Sequence, residues 1–418
     1  MPLEDVTRKV SNRLEVPQQA IATYRHFNLT GRLGSGSFGI VYKTRDSKWR
    51  PIALKIVLLE NLKTVERTIE PIQCETECWR RCNGHPNIVR LFECKRYLCT
   101  FYYSMERTIG DVHLLAKALG DHKISEAIVK RIVAQALRGV LYMHSRGVIH
   151  RDIKPSNMLV TMDGRIVHTD FGWSKMLNLG STTSTRGGTA EYLAPEFFTQ
   201  TDYHHSVDLW ALGTCMYEWV VGNNYLVTKM RSDTHGYQKK VEFLEKNAEL
   251  FQGFAQSRAL TNSSASLSAR SVIKSFLRLD PAQRLGYNPA DPMAEYPKVM
   301  RKSFFRELEN CDIRLPTDIL QKVSNAYSSN RPENILKDMK KLSDWKKETL
   351  PVQWNDLFAD FEWSCDDPPK NPFEQMAVDS IEGNSPASAY KTPLAKRVLE
   401  INCPLNAPYV KRTRPFVA

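Results

Sequence analysis

No segment of this sequence is apolar for long enough to cross a bilayer, and its first ten residues, Met1 to Val10, are charged and lack an apolar run. Both absences predict a soluble intracellular chain, cytoplasmic and/or nuclear, with no membrane partner. The nine cysteines are scattered, without any Cys-x-x-Cys pair or accompanying histidine pair. Zinc and a disulfide framework are thereby disfavoured. Reduced, buried thiols are expected, even for Cys74, Cys78 and Cys82, which fall four apart on an expected helix. Concentrated basic runs are missing too. Lysine and arginine number 58 against 46 acidic residues, a net charge of +12, yet the densest stretches (Lys337 to Lys347, Lys411 to Arg414) are short or broken by acids. Solvated surface charge is the better reading, which disfavours nucleic acid as a partner and leaves a small allowance for an acidic partner or a nuclear import signal in the tail.

What is present is a chain of 418 residues, 42% hydrophobic and 25% charged, the composition of a globular protein with a large core and two to three compact units. Its densest chemistry lies at His150-Arg151-Asp152-Ile153-Lys154-Pro155-Ser156-Asn157, answered further on by Asp170-Phe171-Gly172. A carboxylate and an amide five positions apart, with a second carboxylate at a bend, suit a site that holds a divalent cation and faces a hydroxyl nucleophile. Mg²⁺ prefers oxygen ligands and usually takes one or two protein groups beside the phosphates of its substrate. Asn157 and Asp170 can supply those oxygens, which leaves Asp152 to accept the proton of an incoming alcohol.

Together with Ala194-Pro195-Glu196, these motifs resemble the signature set of eukaryotic protein kinases in its chain order. The resemblance covers about Phe27 to Phe305 and implies an α+β, two-lobed fold with a small strand-rich lobe, a larger helical lobe and ATP in the cleft between them. It also implies transfer of the γ-phosphoryl group of MgATP to protein substrates with serine or threonine acceptors, since Lys154 and Thr189 resemble the serine/threonine type. The rival reading is a catalytically silent kinase fold used as a scaffold. Such proteins usually lose the lysine, an aspartate or the metal-binding asparagine, and all are present here.

Residues 1–26 read as an extension of little fixed structure. From Phe27 the sequence alternates like a strand through Leu33, bends at Gly34-Ser35-Gly36-Ser37-Phe38-Gly39, and runs back through Ile40-Val41-Tyr42. Glycines let backbone amides approach a triphosphate without Cβ clashes, and a strand rather than a helix after them argues against a dinucleotide fold. The nucleotide site implied by the resemblance comprises Leu33, Gly34, Ser35, Gly36, Ser37, Phe38, Gly39, Ile40, Val41, Ala53 and Lys55. Lys55 is the one charge in the apolar strand Ile52 to Val57, and its counterpart in the family grips the α- and β-phosphates. Pro71 suits the first turn of a helix, so the next helix is expected from about Pro71 to Cys82. Glu75 and Glu77 both lie on it. Counting back from His85-Pro86-Asn87-Ile88-Val89 selects Glu75 as the partner of Lys55, with Glu77 as a solvated acid.

The implied catalytic residues are therefore Asp152, Lys55, Glu75 and Lys154, and the implied metal ligands Asn157 and Asp170. Phe101 to Glu106 departs from usual lobe-connecting sequences and leaves the gate of the adenine pocket unplaced. The hydroxyl-rich stretch before Ala194-Pro195-Glu196 is the expected activation segment, and Thr185 its expected phosphosite, with Arg151 to receive the phosphate and room for an upstream activating kinase. Asp170-Phe171-Gly172-Trp173-Ser174 resembles Aurora kinases, while Gly188 to Glu196 resembles cyclic-nucleotide-dependent and related basophilic kinases. Val207 to Gly222 reads as a helix buried on every side, in which Asp208 holds the catalytic-loop backbone, and Arg284 is expected to pair with Glu196. Arg306 to Ala418 reads as a mostly flexible tail. Phe358 to Trp363 within it looks like a motif that docks two aromatics on the small lobe, and Trp345, Trp354 and Trp363 recur every nine residues.

Overall fold

The computed structural model describes residues 22–36, 39–58, 65–97, 100–120, 122–200, 202–230, 234–308, 312–327, 335–340 and 363–364. Two layers of side chains follow directly from the alternation of strand residues. In strand β5 (Pro51–Leu58), Ala53 and Val57 join the main core on one face, while Ile52, Leu54 and Ile56 join a second cluster on the other. In β7 (Thr100–Glu106), Phe101, Tyr103 and Met105 face the first cluster and Tyr102 the second. Period-two alternation with both faces apolar makes this a sheet covered on both sides.

The small lobe begins earlier than the sequence suggests. A hairpin of β1 (Ala22–Tyr24) and β2 (Phe27–Leu29) lays Tyr24, Phe27 and Leu29 on the outward face of the sheet, so little fixed structure through residue 26 does not hold for Ala22 to Tyr24. Beside it β3 (Gly31–Gly36), β4 (Gly39–Arg45), β5, β7 and β6 (Leu91–Tyr97) form an antiparallel sheet in the order β6-β7-β5-β4-β3. Helix α1 spans Val65–Cys82, so Pro71 sits in its interior rather than its first turn. An interior proline costs about 3 kcal/mol. The C-terminal half offsets this by burying Ile72, Cys78, Trp79 and Cys82.

The large lobe is built on α3 (Glu126–Ser145) and α4 (Ser206–Val221), the latter buried along almost its whole length as its apolar sequence predicts. Between them, two short antiparallel pairings fix the motif loops. Strands β9 (Val148–Ile149) and β12 (Lys175–Met176) pair, and β10 (Met158–Val160) pairs with β11 (Ile166–His168) and with β8 (Gly110–Asp111), which leads into α2 (Val112–Leu119). Residues 150–157 thus bridge β9 to β10, and Asp170 lies between β11 and β12. Among the described residues no helix is long and apolar enough to cross a membrane.

The described residues of the tail hold specific contacts with both lobes. Arg131 and Gln135 hold the backbone carbonyls of Arg314 and Ile313, and α5 (Thr317–Ala326) buries Ile319, Leu320 and Val323 in the main core. Farther on, helical residues 335–340 cross to the small lobe, where Ile335 is fully buried beside Tyr24 and Phe27. There Asp338 accepts a hydrogen bond from Tyr42 Oη at 3.1 Å and lies 3.6 Å from Arg32. Burial, with the adjacent Asp338 charge, drives the Tyr42 phenol above its ordinary pKa. Trp363–Ser364 adds an edge strand to β6. Apolar side chains spaced for one helical face, too few to read as a domain, find a ready-made surface here. Phe358 and Phe361, like Trp345 and Trp354, lie outside the described residues.

Candidate active site

Asp208 organises the catalytic loop from the first turn of α4. Its carboxylate accepts the backbone N–H groups of His150 and Arg151 at 2.9 and 2.8 Å, and Nε2 of His144 at 2.9 Å. Burial would push its carboxyl pKa up, but the His144 hydrogen bond and the charges of His144 and His150 outweigh this and hold it below the usual range. Arg151 is left-handed (φ 66°), a conformation that costs a non-glycine residue about 1–3 kcal/mol. Asp208 and a 2.6 Å bond from Arg151 Nε to the Trp173 carbonyl hold it there.

The loop converges on Asp152, which is 3% exposed. Its Oδ2 accepts Lys154 Nζ at 2.8 Å and Asn157 Nδ2 at 2.9 Å, and its Oδ1 accepts the Thr189 hydroxyl at 2.6 Å. Lys154 also reaches Thr189 Oγ1 at 2.8 Å. Asn157 spends its amide nitrogen on Asp152, bonding the backbone carbonyl as well at 2.9 Å, which leaves Oδ1 as the atom able to meet a cation. Asp170 is left-handed too (φ 64°), and a third of its side chain is exposed. Two oxygen donors with open positions fit Mg²⁺, which keeps waters and substrate phosphates in its shell.

Across the cleft, Lys55 Nζ lies 2.5 Å from Glu75 Oε1 and 3.6 Å from Asp170 Oδ1. Burial opposes the charge on Lys55, and Glu75 followed by Asp170 more than offsets it, so the ammonium is held above its ordinary pKa. Glu77 instead meets Arg80 and Arg81 at 3.9 and 3.8 Å on the surface, which settles the choice between the two glutamates. One turn beyond Glu75, Trp79 stacks on Phe171 with ring centroids 5.9 Å apart, and Phe171 lies 5.3 Å from the His150 ring. The helix bearing Glu75 is thereby packed onto the loop bearing Asp170. Sequence reading missed Trp79, whose spacing of four from Glu75 was the available signal.

The glycine-rich stretch lies mostly inside the β3–β4 ladder rather than in a bend, with Gly36 opposite Gly39 and Ser35 opposite Ile40. Ser37 and Phe38 fall outside the described residues. Gly39 (φ 147°) admits no side chain, since a Cβ there would sit on the Ile56 carbonyl. Leu33, Val41 and Ala53 belong to the cleft-side cluster, with Lys55 opposite Val41 in register. Ile40 does not: it packs on the outward face beside Ile56, as alternation with Val41 requires. Met105, paired with Ala53 and 4% exposed, lies one residue before the end of β7. Tyr327 from the tail reaches the same mouth, its hydroxyl 3.4 Å from the Leu33 carbonyl, and no motif announced it.

Beyond Asp170, Thr183 and Thr185 bring their hydroxyl oxygens within 2.9 Å of each other, beside Lys175 and Arg151. Glu196 receives a two-pronged bond from Arg284 at 2.5 and 2.6 Å, both side chains buried. Asn224 accepts the Leu226 N–H at the start of the short helix Tyr225–Lys229 and donates to the Glu191 carbonyl at 3.3 Å.

The family model for the protein kinase domain matches residues 27–304. Protein kinase C zeta type of Oryctolagus cuniculus is 29% identical over 287 residues, covering 68% of this chain and 46% of that protein. Atypical protein kinase C of Drosophila melanogaster is 29% identical over 299 residues, 71% of this chain and 47% of the relative. An Aurora kinase of Candida glabrata is 35% identical over 206 residues, 47% of this chain and 55% of the relative. The chain thus spans about half the length of these relatives, and both halves of the mixed resemblance recur among their names. By the family match across residues 27–304 and a two-lobed α+β fold with the motif loops at the cleft, the chain belongs to the protein kinase family.

Proposed function

We propose that this chain is a serine/threonine protein kinase that transfers the γ-phosphoryl group of MgATP to hydroxyls of protein substrates. The observation that carries this reading is the closed Lys55–Glu75 pair at 2.5 Å, which leaves the lysine charged beside Asp170 and directed at the cleft. Relatives named as protein kinase C and Aurora kinases support it. MgATP supplies the transferable group, and its cation offsets charge on the phosphate oxygens. Lys55 would hold the α- and β-phosphates, Gly34, Gly36 and Gly39 would cover them, and Asn157 Oδ1 with Asp170 would hold the cation. Asp152 Oδ1, bonded to Thr189, would orient the acceptor hydroxyl and take its proton, and Lys154 would stabilise charge beside it. Thr185 would be the activating phosphosite, modified by the chain itself or by an upstream kinase.

A peptide array incubated with purified protein and MgATP tests this. Phosphate on serine or threonine, lost in Asp152→Asn, is the expected result. No incorporation by an enzyme phosphorylated on Thr185 would favour the silent scaffold.

A further inference from the structure

The function above makes no use of the three cysteines spaced along α1. Cys74 and Cys78 bring their sulfurs to 4.0 Å, and Cys74 Sγ also donates to the Ser174 carbonyl at 3.4 Å. Cys74 is part-exposed, while Cys78 and Cys82 are buried. Ser174 in turn donates through its hydroxyl to the His150 carbonyl, at 3.4 Å. The thiol pair therefore sits where the helix bearing Glu75 touches the start of the activation segment. The hydrogen bond with Cys78 and the charges of Arg151 and Lys175 outweigh burial and bring the Cys74 pKa down to about 7, whereas the hydrogen bond with Cys74, followed by burial, pushes the Cys78 thiol well up.

We propose that Cys74 and Cys78 form a peroxide-sensitive dithiol whose closure into a disulfide within α1 detaches Glu75 from Lys55 and silences the site. The Cys74 thiolate attacks a hydroperoxide, breaking its O–O bond to give a sulfenic acid and releasing hydroxide or alkoxide. Cys78 sulfur then displaces the sulfenic hydroxyl, which leaves as water with the Cys78 proton, so both sulfurs are oxidised and one peroxide is reduced. On a helix, Cβ atoms one turn apart lie about 5–6 Å from each other. A disulfide holds them at about 3.5–4.5 Å. The bond therefore closes only by distorting the turn between its ends, and that turn contains Glu75. The same strain makes the disulfide easy to reduce, so the change is reversible.

The inference rests on the proposed kinase activity for its consequence but not for its chemistry, and the two are read separately. Full-length protein is treated with hydrogen peroxide, and the tryptic peptide 68–80, which holds both cysteines, is mapped by mass spectrometry beside an activity assay. The bridged peptide, short of two hydrogens, should appear as activity falls by on the order of tenfold or more, and dithiothreitol should reverse both. Cys74→Ser and Cys78→Ser should each keep their untreated rate after peroxide. Absence of the bridged peptide, or a bridged enzyme at full rate, overturns the proposal, as does equal inactivation of Cys74→Ser. Should the reduced enzyme show no activity at all, the kinase reading fails while the bridged peptide still decides the dithiol chemistry.

Discussion

Arg151 donates through Nη1 to both the carbonyl and the hydroxyl oxygen of Thr185, at 2.9 and 2.7 Å, and Lys175 stands 3.4 Å from the same hydroxyl. Two cations thus converge on one acceptor. A phosphate there would bring a charge of about −1.5 to −2 and form one to three charge-assisted bonds. Thr185→Ala and Arg151→Ala should each run below the rate of the phosphorylated wild type, and phosphatase should lower the rate of the wild type alone. Steady-state rates with phosphosites mapped by mass spectrometry check this. A Thr185→Ala enzyme at the full wild-type rate would place the switch elsewhere.

Lys55→Met and Asp152→Asn remove site charge without removing core volume. Each should abolish measurable phosphoryl transfer and leave the circular dichroism spectrum unchanged. Asp170→Ala should, in addition, abolish the Mg²⁺-dependent thermal shift given by ATP. Near wild-type turnover of clean Asp152→Asn enzyme would refute its role as the proton acceptor.

Tyr327 presses on the mouth of the cleft from the tail. Replacing it by Ala removes its contact with the Leu33 carbonyl and its ring from the Lys43 ammonium, 5.9 Å away. The expected outcome is a several-fold rise in KM for ATP, on the order of 1 kcal/mol of lost contact, with kcat less affected. Initial rates at varied ATP measure it, and an unchanged KM would show that the tail passes the nucleotide without touching it.

Ile335 is fully buried against the outward face of the small-lobe sheet. Ile335→Ala should destabilise the protein by about 2–5 kcal/mol, the usual cost of emptying a core site of this size. Thermal denaturation of full-length protein would show this as a lower Tm, and an unaltered Tm would mean the slot is not filled in solution.

His85, His168 and His205 are buried, and burial pushes their pKa values down to about 3, 4 and 3, with help from Arg138, His150 and His144 respectively. Unfolded, each would titrate near 6.5. Below that pH the unfolded chain binds protons that the folded chain refuses, so stability present above pH 6.5 is lost as pH falls toward 4. The slope approaches about 1.4 kcal/mol per pH unit for each histidine. Tm measured from pH 7 to pH 5 should fall, and less steeply in His205→Asn. A flat profile would contradict the burial of these rings as neutral groups.

Lys55, Asp152, Asn157 and Asp170 were legible in the sequence because phosphoryl transfer restricts residue type at short, fixed spacings, and the folded chain brings the four together. Glu75 needed helical phase as well as spacing. What stayed hidden depends on contacts between distant segments. Pro71 was misplaced because burial of Trp79 and its neighbours overrides a local penalty. Ile40 was assigned to the cleft because a list of consecutive residues ignores the alternation of a strand. The contacts of the tail's described residues stayed hidden because Ile335 and Asp338 meet the small-lobe cluster and Tyr42 only once the chain has folded.

Tyr42 and Asp338 meet across 296 positions of chain, and Ile335 closes the same face. During synthesis the small-lobe strands emerge first, and at 5–20 residues per second they wait roughly 15–60 s for the segment that covers them. Through that interval Tyr24, Phe27, Ile52, Leu54 and Ile56 have no permanent lid. Contacts this remote also slow folding, because the intervening loop must close before any of them is rewarded. The apolar outward face of the small lobe is therefore open to solvent until the tail has emerged. Residues 27–304, cut out as a domain, would carry that vulnerability for good.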